Sequence, residues 1–234
     1  MPVNDQEITA AKTINIAIDG PSGAGKSTIA KACAAKLGYI YVDTGALYRT
    51  IGVCAMRRGV DTKDRAAVES VLPYADVSLK YVDGAQRVFL GDDDVSEEIR
   101  TPAASMAASD VSAVPAVRER LLDLQRELAG NNNVIMDGRD IGTVILPDAQ
   151  YKFFLTASAE VRAQRRVKEL LEKGMEVNYE ETLADIVKRD YQDSHRETAP
   201  LKQADDAILI DSSYMTIDEV VNFIISKIGC QLPD

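Results

Sequence analysis

Residues 20–27 read Gly-Pro-Ser-Gly-Ala-Gly-Lys-Ser, a complete G-x-x-x-x-G-K-S pattern, and nothing else in the chain restricts its fold as tightly. Ahead of it, Ile14 to Asp19 is a short, β-branched apolar run. Behind it, Ile29, Cys33 and Leu37 recur at helical spacing until Gly38. A strand passing through a glycine-rich turn straight into a helix is the context such a loop needs. The glycines let several backbone N–H groups converge on phosphate oxygens. The helix that starts there adds the partial positive charge of its N-terminus. Lys26 supplies a mobile charge for β- and γ-phosphates, and the Ser27 hydroxyl is placed to reach Mg²⁺. The bland alternative, a chance glycine-rich turn, has to explain both correct flanks.

The remaining pattern alternates in the same way. Tyr39 to Val42 reads as a second strand, followed by a helix from Ala46 to about Arg58 that Gly59 closes. Val134 to Met136, Lys152 to Leu155 and Ile208 to Ile210 are further apolar runs, each with a helical segment expected after it. Thr101 before Pro102 signals a helix start, and Val117, Leu121, Leu124 and Leu128 form a stripe that stops at Gly130. Asn178 with Glu181, and Thr216 with Glu219, resemble capping boxes. One stretch breaks the alternation: Val77, Leu79 and Tyr81, an Asp83-Gly84 turn, and a return from Arg87 to Leu90 form a hairpin signature. The expected fold is α/β, a doubly wound parallel sheet with sub-domains inserted into it.

Composition narrows the function. The chain has 234 residues, 46% of them hydrophobic, enough for a core without a metal or disulfide staple. Its formal charge is −10, from 27 Lys and Arg against 37 Asp and Glu. Such a chain repels a nucleic-acid backbone or an anionic membrane, so an anionic ligand needs a locally positive pocket. Cys33, Cys54 and Cys230 fit no zinc or CxxC spacing and read as reduced thiols, two of them in helix cores. A single histidine, His195, argues against most metal clusters and against a Ser–His–Asp triad. The polar N-terminus, without an apolar run of about 18 residues anywhere, leads to the expectation of a cytoplasmic protein with no membrane partner.

Three further clusters carry candidate chemistry. Asp43-Thr44-Gly45-Ala46-Leu47-Tyr48-Arg49 ends the second strand, and its tyrosine and arginine suit an incoming phosphoryl acceptor. Read blandly, Asp43 or Thr44 is only a helix cap and Arg49 a surface residue. Val134 to Asp140 is an apolar strand ending in carboxylates. Asp137 stands where an acid would hold a magnesium shell, Arg139 can grip a phosphate, and Asp140 can accept from an amino group on a base. The alternative has both acids merely neutralising Arg139. Arg162, Arg165 and Arg166 share one helical face, as do Arg189, Asp193 and Arg196 at i, i+4 and i+7. Solvated surface is the default for such groups, but a phosphoryl-transfer state spreads charge over several oxygens that arginines can hold.

Taken together, GPSGAGKST, DTGALYR, the hairpin followed by DVSEEIRT, DGRDIGT, EVRAQRR and KRDYQDSHR stand in the order and spacing of the bacterial cytidylate kinases. The chain resembles that family of P-loop nucleoside monophosphate kinases from about Ile14 to Ile228. The resemblance implies a P-loop NTPase fold of about five parallel strands. Its core would span about 14–60, 116–160 and 200–230, with a nucleotide-binding insertion at about 61–115 and a helical lid at about 160–178. It implies phosphoryl transfer from ATP to CMP or dCMP with Mg²⁺, in a monomer. Gly20, Pro21, Ser22, Gly23, Ala24, Gly25, Lys26, Ser27 and Thr28 would hold the ATP phosphates, with Ser27 and Asp137 at the metal. Thr44 would belong to the acceptor site, and Tyr48, Arg49, Arg139 and Arg196 would surround the CMP phosphate. Ser109, Arg118 and Asp140 would read cytosine, and Arg189 with Asp193 would bind the sugar. Lys26, Arg139, Arg162, Arg166 and Arg196 would act on the transferring group, with Arg162, Arg165 and Arg166 in the lid. Serine is frequent in the family where Thr44 stands, and glycine where Ser27 stands. Neither change removes the local chemistry. The alternatives are a P-loop kinase of UMP, AMP or shikimate, and a P-loop NTPase switch, against which there is no NKxD-type guanine motif.

Overall fold

The computed structural model describes residues 13–82 and 85–229, so Cys230 and the expected Asp83-Gly84 turn lie outside the described residues. In chain order the elements are β1 (Asn15–Asp19), α1 (Lys26–Leu37), β2 (Ile40–Asp43), α2 (Thr44–Arg57), α3 (Arg65–Val71), β3 (Val77–Val82), β4 (Ala85–Leu90), β5 (Asp93–Asp94), α4 (Pro102–Val111), α5 (Pro115–Asn131), β6 (Val134–Gly138), β7 (Tyr151–Thr156), α6 (Ala159–Glu172), α7 (Tyr179–His195), β8 (Ile208–Asp211) and α8 (Ile217–Gly229).

Five strands form one sheet in the order β2-β6-β1-β7-β8. Every pairing in it is parallel. Helices cover both faces, which is why β1 and β6 read as continuous apolar runs. On one face Ile16, Ile18, Phe153 and Leu155 pack with Ile29 and Cys33 of α1 and Val220, Ile224 and Ile228 of α8. On the other, Ala17, Val42 and Met136 pack with Ala129 of α5 and with Ile141 and Ile145. Because β1 sits between β6 and β7, the chain winds away from it in both directions. The carboxyl ends of β1, β2 and β6 therefore open onto a crevice, where ligands bind in sheets of this kind.

The hairpin of β3 and β4 is joined by β5 into a three-stranded antiparallel sheet, a strand more than the sequence pattern suggests. It packs on α2 and α4 through Val88, Val95, Ala46 and Ala104. It also covers the free edge of β2. Tyr81 Oη donates to the Tyr41 carbonyl at 2.9 Å, and the Asp43 N–H donates to Gln86 Oε1 at 3.0 Å. An otherwise open sheet edge is satisfied in this way.

Several boundaries differ from the sequence expectation for local reasons. Helix α2 starts at Thr44 rather than Ala46, because the Asp43 carboxylate accepts from the Ala46 N–H at 2.9 Å and is the cap. Helix α5 runs through Gly130 to Asn131. After β6 there is only a single wide turn, Ile141–Ile145, in place of a longer helix. Asp19 captures the Ile141 and Gly142 N–H groups at 2.8 and 2.7 Å, and Pro147 disfavours helix in the residue before it. Helix α7 ends at His195, so Arg196 is its extended C-cap and does not share a helical face with Arg189 and Asp193. Thr216 and Glu219 make a complete reciprocal capping box, whereas Asn178 supplies only the cap half of one. Cys33 and Cys54 are both buried and unpaired, and burial pushes the Cys33 thiol up to about 11. Among the described residues no helix is long and apolar enough to cross a membrane.

Helix α2 lies so close to α4 that a Cβ on Gly52 would stand 2.8 Å from the Ala107 Cβ. We expect Gly52→Val to cost about 1–3 kcal/mol through overpacking, seen as a lower midpoint in a thermal melt.

Candidate active site

At the end of β1 the chain turns through Gly20, whose φ of +148° and whose contact with β7 leave no room for a side chain. A Cβ there would stand 1.9 Å from the Leu155 carbonyl oxygen. This close approach sets the start of the loop that leads into α1. Lys26, the first residue of α1, is buried, and its Nζ donates to the Pro21 carbonyl at 2.7 Å. Burial and the neighbouring Arg139 guanidinium hold the Lys26 ammonium well below its usual range. A phosphate set against it would favour the charged form.

The sheet register brings the partner residues to this loop. Asp19 pairs with Gly138 across β1 and β6, and Asp43 pairs with Asp137 across β2 and β6. Ser27 Oγ donates to Asp137 Oδ2 at 3.0 Å, and Tyr41 Oη donates to Asp137 Oδ1 at 2.8 Å. Thr44 Oγ1 donates to the Asp137 carbonyl at 2.8 Å, pinning the ends of β2 and β6 together. Burial, then the Asp43 carboxylate, push Asp137 up to about 6. Burial and the same two carboxylates raise the Tyr41 phenol above its usual range. A serine hydroxyl beside a buried carboxylate fits Mg²⁺, which takes hard oxygen ligands and is commonly held by one or two carboxylates together with phosphates. No cluster of three or more His, Cys, Asp or Glu suited to a metal occurs among the described residues.

A cavity of about 920 Å³ extends from this point between α4, α6 and α7. Its lining includes eight cations (Lys26, Arg49, Arg118, Arg139, Arg165, Arg166, Arg189 and Arg196) and six carboxylates (Asp43, Asp137, Asp140, Glu169, Asp185 and Asp193). The lining is thus net positive in a chain of charge −10. Ser22, Gly23, Ala24, Gly25, Ser27, Thr28, Thr44, Tyr48 and Ser109 line it as well. Gly20, Pro21 and Arg162 do not.

The arginines are held by carboxylates. Arg118 donates to Asp140 Oδ2 and to the Ser112 carbonyl, while Arg196 reaches Asp140 Oδ1 at 3.3 Å. The Arg118 guanidinium also lies over the Tyr48 ring, 5.4 Å from its centroid. Arg139 Nε donates to Asp193 Oδ2 at 2.8 Å, and Arg49 Nη2 to Asp43 Oδ2 at 2.8 Å. Burial works against ionisation of Asp193, yet Arg139, Arg189 and Arg196 hold its carboxyl below the usual range. Burial and the charge of Arg139 lower Arg189 to about 10. The Nε atoms of Arg49 and Arg189 are buried without a hydrogen-bond partner in the protein, which suits an anionic oxygen as the missing acceptor.

The three arginines of α6 separate. Arg165 donates to the Ser212 carbonyl at 2.6 Å, and Arg166 pairs with Glu169 at the surface. Arg162 is 4% exposed and braces the loop from behind. It donates to the Ser22 and Ala157 carbonyls at 3.0 and 2.9 Å and forks onto the Asp190 carboxylate at 2.9 and 2.5 Å. Asp190, Asp19 and Tyr41 escaped sequence reasoning because their partners are distant in the chain. Only Tyr41 left a usable signal, its two-residue spacing from Asp43 along one strand face. We expect Arg162→Ala to lose about 3 kcal/mol of stability in denaturant titrations, because two carbonyls and Asp190 lose their donor together. Arg166→Ala should stay within about 0.5 kcal/mol.

Comparison with known proteins agrees with this geometry. The chain matches the family described as cytidylate kinase over residues 16–229. It is 54% identical over 210 residues to the cytidylate kinase of Caldicellulosiruptor bescii, covering 90% of this chain and 93% of that one. Identity to the cytidylate kinase of Caldanaerobacter subterraneus is 55% over 209 residues, covering 89% and 92%. A solved structure of an uncharacterized protein from Eubacterium ventriosum superposes with a TM-score of 0.55 at 16% identity, over 94% of this chain and 100% of that one, which shows a shared fold alone. With half its positions identical along nine-tenths of its length, and with the phosphate loop and the arginine-lined cleft in one crevice, the chain belongs to the cytidylate kinase family.

Proposed function

We propose that the protein transfers the γ-phosphoryl group of ATP to CMP or dCMP, giving ADP and CDP or dCDP. The observation that carries this reading is the net positive cavity at the carboxyl edge of the sheet, where the lysine loop and the arginines of five other segments meet. Residues 20–28 take the donor phosphates. Tyr48, Arg49, Arg139 and Arg196 take the acceptor phosphate. Ser109, Arg118 and Asp140 face the cytosine edge, and Arg189 with Asp193 takes the sugar. Mg²⁺, when bound at Ser27 and Asp137, neutralises developing charge on the phosphate oxygens.

The nucleophile is an oxygen of the CMP phosphate, whose second ionisation lies near pH ~6. It is therefore already an anion at neutral pH and needs no general base. The one histidine fits that chemistry: His195 stacks on Tyr191 at 3.9 Å and is not part of the cavity lining. The obstacle is bringing two polyanions into line. Unit charges 4 Å apart repel by about 4 kcal/mol at an effective dielectric of 20. Lys26 and Arg139, with Arg196 and Arg166, offset this and the charge that builds during transfer. Arg162 acts from behind the loop, keeping the Ser22 carbonyl in place. Closure of the lid beyond the Arg162 brace, to about residue 178, over the donor excludes water and so prevents wasteful hydrolysis of ATP. Action as a cytoplasmic monomer on small nucleotides, without a nucleic-acid or membrane partner, belongs to the same reading.

A coupled assay of ADP release should show kcat/KM lowered at least roughly 100-fold, about 2.7 kcal/mol, for Lys26→Ala and for Arg139→Ala. Near-normal turnover in either variant would remove that residue from the mechanism. Asp140→Ala should raise the ratio of kcat/KM for UMP to that for CMP, since the acceptor for the cytosine amino group is gone. A ratio is the right readout because it cancels any loss of folded protein when Arg118 loses its partner. An unchanged ratio across CMP, dCMP and UMP would exclude Asp140 from base recognition.

A further inference from the structure

Asp137 has two carboxylate oxygens with different partners. Oδ2 meets Ser27 Oγ at 3.0 Å, on the side of the phosphate loop, and Oδ1 accepts from the Tyr41 phenol at 2.8 Å. The strand pattern explains the second contact. Tyr41 pairs with Ile135 across β2 and β6, so Asp137 lies two residues further along the same face. A long aromatic side chain with a polar tip spans that diagonal. Tyr41 is itself fixed from three directions. Its carbonyl accepts from Tyr81 Oη at 2.9 Å, its ring lies 5.3 Å from Lys31 Nζ, and it packs at the edge of the core beneath α1.

We propose that Tyr41 is a positioning residue of the metal site: its phenol holds Asp137 Oδ1 and thereby keeps Oδ2 turned toward Ser27 and the ion. The inference rests on the reading that Ser27 and Asp137 hold the divalent cation. Metal ligands whose outer oxygen or nitrogen is hydrogen-bonded in this way lose roughly 10- to 100-fold in metal affinity or activity when that partner is removed. Tyr41→Phe removes one oxygen and leaves the ring, so the packing beneath α1 and the edge of β2 keep their shape.

The test uses the full-length protein with Mn²⁺ as a spectroscopic probe. Its binding in the presence of ADP is followed by electron paramagnetic resonance for wild type, Tyr41→Phe and Asp137→Asn, alongside ADP binding in EDTA and the ligand-free melting temperature. The expected result is Mn²⁺ affinity roughly 10-fold weaker in Tyr41→Phe and weaker still in Asp137→Asn, with metal-free ADP binding unchanged in Tyr41→Phe. Initial rates should show the same variant needing about 10-fold more free Mg²⁺ for half-maximal activity, with KM for CMP unmoved. Wild-type Mn²⁺ affinity in Tyr41→Phe but not in Asp137→Asn overturns the positioning role and leaves the metal site standing. Wild-type affinity in both variants overturns the metal site itself. Equal losses of ligand-free stability and metal-free ADP binding in Tyr41→Phe would make Tyr41 a packing residue and also overturn the proposal.

Discussion

The parallel pairing of β1 with β6 is the constraint on which the site depends. It sets Asp19 against Gly138, so the phosphate loop leaving β1 and the Gly138-Arg139-Asp140 segment leaving β6 emerge side by side. Asp19 locks that arrangement by accepting the Ile141 and Gly142 N–H groups, at the cost of a carboxyl pushed up to about 6 by burial. Pairing of β2 on the far side of β6 adds Asp43 and Tyr41 to the same corner. Three strand ends thus deliver the loop lysine, the Ser27 and Asp137 oxygens and the first arginine to one place.

Electrostatics then divides the molecule. A strongly acidic chain places seven of its 15 arginines around one cavity and pairs most of those seven with carboxylates that orient without fully cancelling them. Asp140 between Arg118 and Arg196, and Asp193 beside Arg139, are the clearest cases. Paired guanidiniums are held in a fixed geometry in advance, the kind of preorganisation by which electrostatic stabilisation avoids reorganisation during a reaction. The orphaned Nε atoms of Arg49 and Arg189 mark where the pairing is incomplete and where an anion has most to offer.

Much of this could be read along the chain wherever the cause was local. The strand, loop and helix from residues 14 to 38 and the stripe of α5 follow from spacing and terminal residues alone. All ten acceptor-site candidates line one cavity. The misreadings came where a distant partner changed a local outcome. Arg196 falls one residue beyond α7, so its place in the cavity owes nothing to the helical spacing that first suggested it. The segment after β6 is a single turn because Asp19, more than a hundred residues earlier, takes its N–H groups. Arg162 sits on the helical face that spacing assigns to it, but that face is turned into the protein, where Ser22 and Asp190 claim its donors.

Sequence alone therefore determined the fold class, the glycine-rich loop and the chemical type of the ligand, because the loop is a single strand-to-helix junction and the other two show in the order of apolar runs and short motifs along the chain. Tertiary structure decided which arginines face the cavity, which one braces the loop, and that the phenol of Tyr41 on β2 donates to Asp137. Those outcomes depend on strand order and register, and hydrogen bonds across the ends of a parallel sheet join residues that no local periodicity connects.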